Sequence, residues 1–316
     1  MSRHPLAASP LTRPGISSLI AHLAPMPHEW IFGLFLVGCW LRLAFVSGVL
    51  HPMSLLYAAM FLFGVGVMCW ERRQPTPLRA RLRVLCCAAV STLSYASVKH
   101  AVPAMYFAGF TPKDGLLESC DRALVGNSVE WLQHAGSPWM TEVMMTCYLF
   151  FFYYLITGPG HYYFTDHRRF IACGGGFFTV YGLGYIGYVL VPAAGPCEQL
   201  GLRTGGIITQ MGSAFVSDHT NGFDAFPSIH FGATCFLLGF DWRHHRRRFW
   251  RLLVPTLGLW VSTVYLRYHY LVDLLGGLLV ALVGLWIADR LLRSSSAAPE
   301  EDAAEERDQV TAQAAG

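Results

Sequence analysis

The sequence predicts an all-α protein, a polytopic bundle of transmembrane helices. Three observations carry that reading. The 316 residues are 53% hydrophobic and only 14% charged, well below the roughly quarter of charged residues in soluble domains. The apolar residues are gathered into long runs near the length of about 20 residues that a helix needs to cross the hydrocarbon core. Basic residues fall in alternate connections between those runs.

Eight spans are read, near 30–50, 52–70, 84–108, 143–158, 170–192, 227–241, 252–267 and 271–290, of which 143–158 and 227–241 are short. They divide the chain into four parts. Residues 1–29 form a polar leader with no compact apolar core ahead of a cleavage site, unlike a removed signal. Residues 30–83 form an N-terminal transmembrane hairpin and a basic loop, ERRQPTPLRARLR, where Pro75 and Pro77 stop the helix. Residues 84–293 form a six-helix core. Residues 294–316 are small, acidic and poor in apolar groups, a composition expected to stay disordered.

Orientation follows from the arginines. Arg72, Arg73, Arg79, Arg81, Arg83, Arg168, Arg169, Arg243, Arg246, Arg247, Arg248, Arg251, Arg290 and Arg293 lie on one side, against Lys99, Lys113, Arg122, Arg203 and Arg267 on the other. That bias puts both termini in the cytoplasm. It also explains the RHHRRR cluster as a topology signal, with no need of nucleic acid. The nine cysteines show no CxxC spacing, so neither a zinc ribbon nor a redox motif is indicated. Cys120 and Cys197 are the two in external loops, and a disulfide between them is left open.

Two external segments interrupt the core. Residues 109–142, with Trp131, Leu132 and Trp139 among polar residues, suggest an interfacial helix. Residues 193–226 read as a long Gly-containing loop of irregular structure leading into FPSIH, and loops of that length are commonly functional.

The chemistry centres on FPSIH (226–230) and RYHYLVD (267–273). Both end apolar runs on the external side, lumen or periplasm, and ionisable residues at that depth mark candidate functional sites. His269 and Asp273 are four apart and share a helix face, so the carboxylate can orient one ring nitrogen and leave the other as a nucleophile. The same spacing also fits a structural His–Asp pair. Pro227 suits a first helical turn, which places Ser228 and the amides after it at a helix N-terminus suited to phosphate. His230, one turn in, is placed for acid–base work. Arg267 and Lys99 lie at the same level as candidate phosphate-binding residues, with headgroup contact and snorkelling as their ordinary roles.

These residues resemble the type 2 phosphatidic acid phosphatase superfamily. Its P-S-G-H and S-R-x5-H-x3-D blocks are matched here by 227–230 and by Ser262, Thr263, His269 and Asp273, in that order. The chain departs from the pattern at Thr263, where the superfamily has a phosphate-binding Arg, and in lacking a K-x6-R-P block. With YVLVPAAGP (188–196) and DRALVG (121–126), those departures are similar to the branch of the inositol phosphorylceramide synthases and their bacterial relatives.

The resemblance implies a phosphatase-like six-helix core and a metal-independent, cofactor-free reaction through a phosphohistidine. His269 would be the nucleophile, Asp273 its orienter and His230 the acid and base, with Ser228, Arg267 and Lys99 on the phosphate. The substrate would be a lipid with a phosphate headgroup. The acceptor would be a lipid or polyol hydroxyl in a transferase, or water in a phosphatase acting on phosphatidate or a polyprenyl diphosphate. A bacterial inner membrane with the site on the periplasmic face fits the composition. Two rival readings use the same residues. One is a transporter with a proton relay, which lacks paired broken helices. The other is a metal site of Asp218, His219, His230 and His269, whose spacing fits no common zinc signature.

Overall fold

A computed structural model describes residues 25–107, 110–126 and 136–314, and among them the chain is helical throughout, with one isolated bridge between Ala193 and Asp224. Trp131 and Leu132 lie outside the described residues, as does most of the polar leader. Helix α1 is Pro27–Val46, α2 Pro52–Arg73, α3 Pro77–Ala104, α4 Asp114–Val125, α5 Pro138–Thr165 and α6 His167–Leu190. Then follow α7 Cys197–Leu200, α8 Ile207–His219, α9 Ile229–His244, α10 Arg246–Tyr265 and α11 Leu271–Ala314. Six of these, α1, α2, α3, α5, α6 and α11 as far as Ser294, are long and apolar enough to cross a membrane.

The boundaries follow from local chemistry. Pro27, Pro52, Pro77 and Pro138 each open a helix, where the missing N–H has no partner to lose. Pro77 therefore starts α3 rather than lengthening a loop, and Arg79, Arg81 and Arg83 are helical. Helix α5 continues through Pro159 to Thr165, well past the expected end of its span. Asp166 alone turns the chain, and its side chain caps α6 through the Arg169 amide at 3.0 Å. The acidic segment expected without structure continues α11 to Ala314, in keeping with its Ala- and Glu-rich make-up.

The external stretch 193–226 also differs from the expected irregular loop, since it holds the 13-residue helix α8. Its N-terminus is capped from a distance. Glu142 on α5 accepts from the amides of Thr209 at 2.8 Å and Ile208 at 3.0 Å. A cap that arrives from 66 residues away leaves no local signature.

Helix α6 is the centre of the bundle, packed by α1, α3, α5, α9 and α11. Helix α9 has only 16 residues but is largely surrounded by protein, so its length need not match the bilayer. It runs against α11 by backbone contact. A Cβ on Gly277 would lie 2.6 Å from the Ser228 carbonyl oxygen, and one on Gly232 would lie 2.9 Å from that of Gly277. Small residues permit this approach in membranes, where apolar side chains gain nothing by leaving lipid for protein. The approach brings the start of α9 and the start of α11, with their histidines, side by side.

Candidate active site

The α10–α11 turn presents His269. Helix α10 ends in a Schellman motif: Tyr268 N–H reaches the Thr263 carbonyl at 3.0 Å and Arg267 N–H that of Val264 at 3.0 Å. The residue in the left-handed region is Arg267, with φ 70°, where glycine is usual. Its cost, about 1–2 kcal/mol for an L-residue, is offset by three ties. The guanidinium donates to the carbonyls of Leu200 (2.9 Å) and Gly201 (3.2 Å), and the Arg267 carbonyl accepts from Cys197 N–H at 2.7 Å. Arg267 thus fastens the 197–201 turn; the structure does not bring its guanidinium to the histidines. Lys99 is exposed on α3.

His269 is 3% exposed. Its Nδ1 lies 3.0 Å from the Ala225 carbonyl oxygen and 3.5 Å from Asp273 Oδ2. A carbonyl only accepts, so in the neutral ring Nδ1 carries the hydrogen and Nε2 the lone pair. His230 Nδ1 sits 3.2 Å from that Nε2 and must then donate to it, while His230 Nε2, 2.9 Å from Tyr148, accepts the phenolic proton. The result is one directed chain from Tyr148 through both imidazoles to Ala225 and Asp273.

Asp273 is fully buried and divided in its duties: Oδ2 accepts from the Tyr270 amide at 2.8 Å, and Oδ1 has no partner. His269 lies in the turn before α11 rather than on a helix face shared with Asp273; its ring still reaches that carboxylate, and the Ala225 carbonyl is closer. Ser228 is the N-cap of α9, accepting from Phe231 N–H at 3.3 Å, and its own amide donates to the Asp273 carbonyl at 3.0 Å. Thr263 is fully buried with its hydroxyl on the Trp260 carbonyl, so no cation stands in the place of the superfamily Arg.

The external segments form a platform around this pair. Asp114 accepts from the amides of Gly195 (2.8 Å) and Ala194 (3.1 Å), and Asp121 Oδ1 from Val272 at the start of α11 (2.9 Å). Asp121 of the DRALVG segment therefore ties α4 to the start of α11, just after His269, and Gly126 ends α4 at φ 75°. Gly195, at φ 94°, lies under Tyr268, whose carbonyl oxygen would be 2.3 Å from an added Cβ. Cys120 and Cys197 are free thiols. His219 bonds its own helix at the Phe215 carbonyl, 2.7 Å away, and among the described residues Asp218, His219, His230 and His269 do not converge as a ligand set.

Below the histidines an apolar cavity of about 680 Å³ runs between α3, α5 and α6. His230, Tyr148 and Asp224 line its head; Val84, Phe170 and Gly174 line its far end, toward the arginine-rich face. Sequence reasoning missed Tyr148, the Ala225 carbonyl and Asp224. Tyr148 stands two residues before the aromatic run 150–155, and nothing in its local sequence sets it apart. Asp224 stands three residues before Pro227, and that proximity is the one signal that could have marked it.

A bundle of apolar helices, with a histidine at the head of an apolar cavity hydrogen-bonded to a second one behind it, defines a membrane phosphatase-type protein. The chain belongs to the PAP2 superfamily, whose family model matches residues 115–287. No curated protein and no solved structure gives a significant match.

Proposed function

We propose that the protein is a lipid phosphotransferase that moves a headgroup phosphate between lipids, in the manner of the inositol phosphorylceramide synthase branch. The observation that carries this reading is the pairing of His269 Nε2 with His230 Nδ1 at the head of the apolar cavity. A phosphodiester entering there displaces the imidazole–imidazole bond. His269 Nε2 attacks phosphorus, the P–O bond to the diacylglycerol breaks, and the leaving oxygen takes a proton from His230 in its imidazolium form. An acceptor hydroxyl then returns a proton to His230 as its oxygen attacks and the P–N bond breaks. The first-turn amides of α9 meet the phosphoryl oxygens as charge develops. The reaction as drawn uses no metal.

A phosphatase would share these steps with water as acceptor. The scarcity of cations favours the diester over a dianionic monoester: Thr263 replaces an Arg, Lys99 is exposed, and the guanidiniums of Arg267 and Arg203 are held by carbonyls. The proposed site faces the periplasm of a bacterial inner membrane, with both termini cytoplasmic.

The test is purified protein in detergent with EDTA, wild type beside His269→Ala, given fluorescent phosphatidate, phosphatidylinositol, phosphatidylcholine, phosphatidylethanolamine and ceramide while lipid products and free phosphate are followed. A headgroup moved to a lipid hydroxyl without free phosphate is expected. Free phosphate from phosphatidate alone would make it a phosphatase. Equal turnover in His269→Ala would remove His269 as nucleophile, and His230→Ala should cost about 10²–10⁴-fold.

A further inference from the structure

Most carboxylates inside the bundle are held by a cation or by backbone amides. Glu29 and Glu71 share Arg83, and Asp241 faces Arg248. Asp114 and Asp121 take backbone amides, and Asp273 takes an amide beside His269. Half-buried Asp224 has neither: among the described residues its carboxylate is held by side-chain hydroxyls alone. Its Oδ1 accepts from the Thr220 hydroxyl at 3.0 Å and its Oδ2 from the Tyr95 hydroxyl at 2.5 Å, both neutral donors, and among the described residues no cationic side chain is within ion-pair distance.

Each carboxylate oxygen keeps a lone pair beyond the bond it accepts. The two hydroxyls fix the group in the wall of the cavity that also holds His230 and Tyr148, and the rings of Tyr95, Tyr148 and Tyr188 stand around that head. A fixed carboxylate bordered by aromatic rings in an apolar cavity is a receptor for an organic cation. A phosphate brought here without a cation would meet repulsion from Asp224. A phosphate that carries its own cation would not.

We propose that Asp224 is a specificity-determining residue that receives the ammonium of a zwitterionic phosphodiester headgroup, of the ethanolamine or choline kind, while the phosphate lies at His269 and the start of α9. The inference rests on the phosphate-facing role given to His269. In the displacement described above the diacylglycerol leaves and the headgroup stays on His269, so Asp224 grips the part that is retained.

The test is binding, which needs no chemistry. Hexadecylphosphocholine, its 3,3-dimethylbutyl ester analogue, which keeps the anionic phosphodiester but lacks the ammonium, and hexadecyl phosphate are titrated onto the full-length detergent-purified protein, in wild type, Asp224→Asn and His269→Ala. Wild type should bind the choline ester about tenfold or more tightly than the carbon isostere, and Asp224→Asn should lose that preference. The two esters have the same shape, so the wild-type comparison decides even if Asp224→Asn fails to fold. Equal affinities, tighter binding of hexadecyl phosphate, or no binding of any would overturn the proposal. His269-dependent turnover of anionic lipids without an ammonium preference would sink the role of Asp224 and leave the His269 reading standing. A preference for ammonium with turnover that ignores His269 would do the reverse.

Discussion

At the residue scale the site is a set of proton positions imposed by groups that cannot negotiate. The Ala225 carbonyl accepts only, so it sets the tautomer of His269 and, through it, that of His230. Tyr148→Phe removes the donor to His230 Nε2 and leaves that nitrogen free to wander. Turnover should fall by about tenfold, the worth of one modest hydrogen bond, with little change in thermal stability; a rate equal to wild type would show that Tyr148 is packing alone.

Cys197 gives a second handle on the same surroundings. Burial pushes its thiol up to about 11, and the Asp224 carboxylate pushes the same way. The thiolate is the reactive form, and at pH 8 it is then about one in a thousand. Maleimide should label Cys197 far more slowly than a peptide thiol at pH 8, and faster in Asp224→Asn. Rapid labelling in wild type would contradict the half-buried placement of this thiol.

At the scale of elements, the histidines meet because two helices touch backbone to backbone. Gly277→Leu would force α9 and α11 apart at the Ser228 carbonyl, at a cost of about 1–3 kcal/mol from overpacking. Activity should be lost well before the fold is, so the variant should remain helical by circular dichroism while turning over poorly. Full activity in Gly277→Leu would mean the close approach is not needed. The α10 end makes the complementary point. Arg267 reads from sequence as a phosphate ligand or a headgroup contact, yet here it closes a Schellman turn and ties down 197–201. Arg267→Gly would ease the backbone at φ 70° but release the 197–201 turn, and susceptibility to proteolysis in that turn should rise.

At the scale of the molecule, the arginine-rich end is stitched as tightly as the catalytic end. Arg248, which reads simply as topology, also donates to the carbonyls of Thr157 (2.9 Å) and Gly158 (3.1 Å) beside Asp241, itself bonded by Tyr154 and Tyr162. Orientation can be read with single cysteines in a cysteine-free background. Lys113→Cys, exposed beside α4, should label from the outer side, and Arg247→Cys, exposed at the start of α10, only after permeabilisation. The opposite pattern would invert the bundle.

What the sequence determined by itself is what depends on composition and short range. Apolar runs and alternating arginines marked the helices, because a helix in lipid must satisfy its own backbone and be apolar for its whole length. FPSIH and the His269–Asp273 spacing marked the histidines, because a helix N-terminus and an i,i+4 pair are local geometry. The tertiary structure alone decided the rest. Which nitrogen of His269 is left for His230 depends on a carbonyl 44 residues away. Helix α8 depends on a cap from α5, Tyr148 on the crossing of α5 beside α9, and Asp224 on the bridge that sets its backbone against Ala193. Each joins groups far apart in the chain, and no periodicity or spacing within a segment records a partner that only packing brings near.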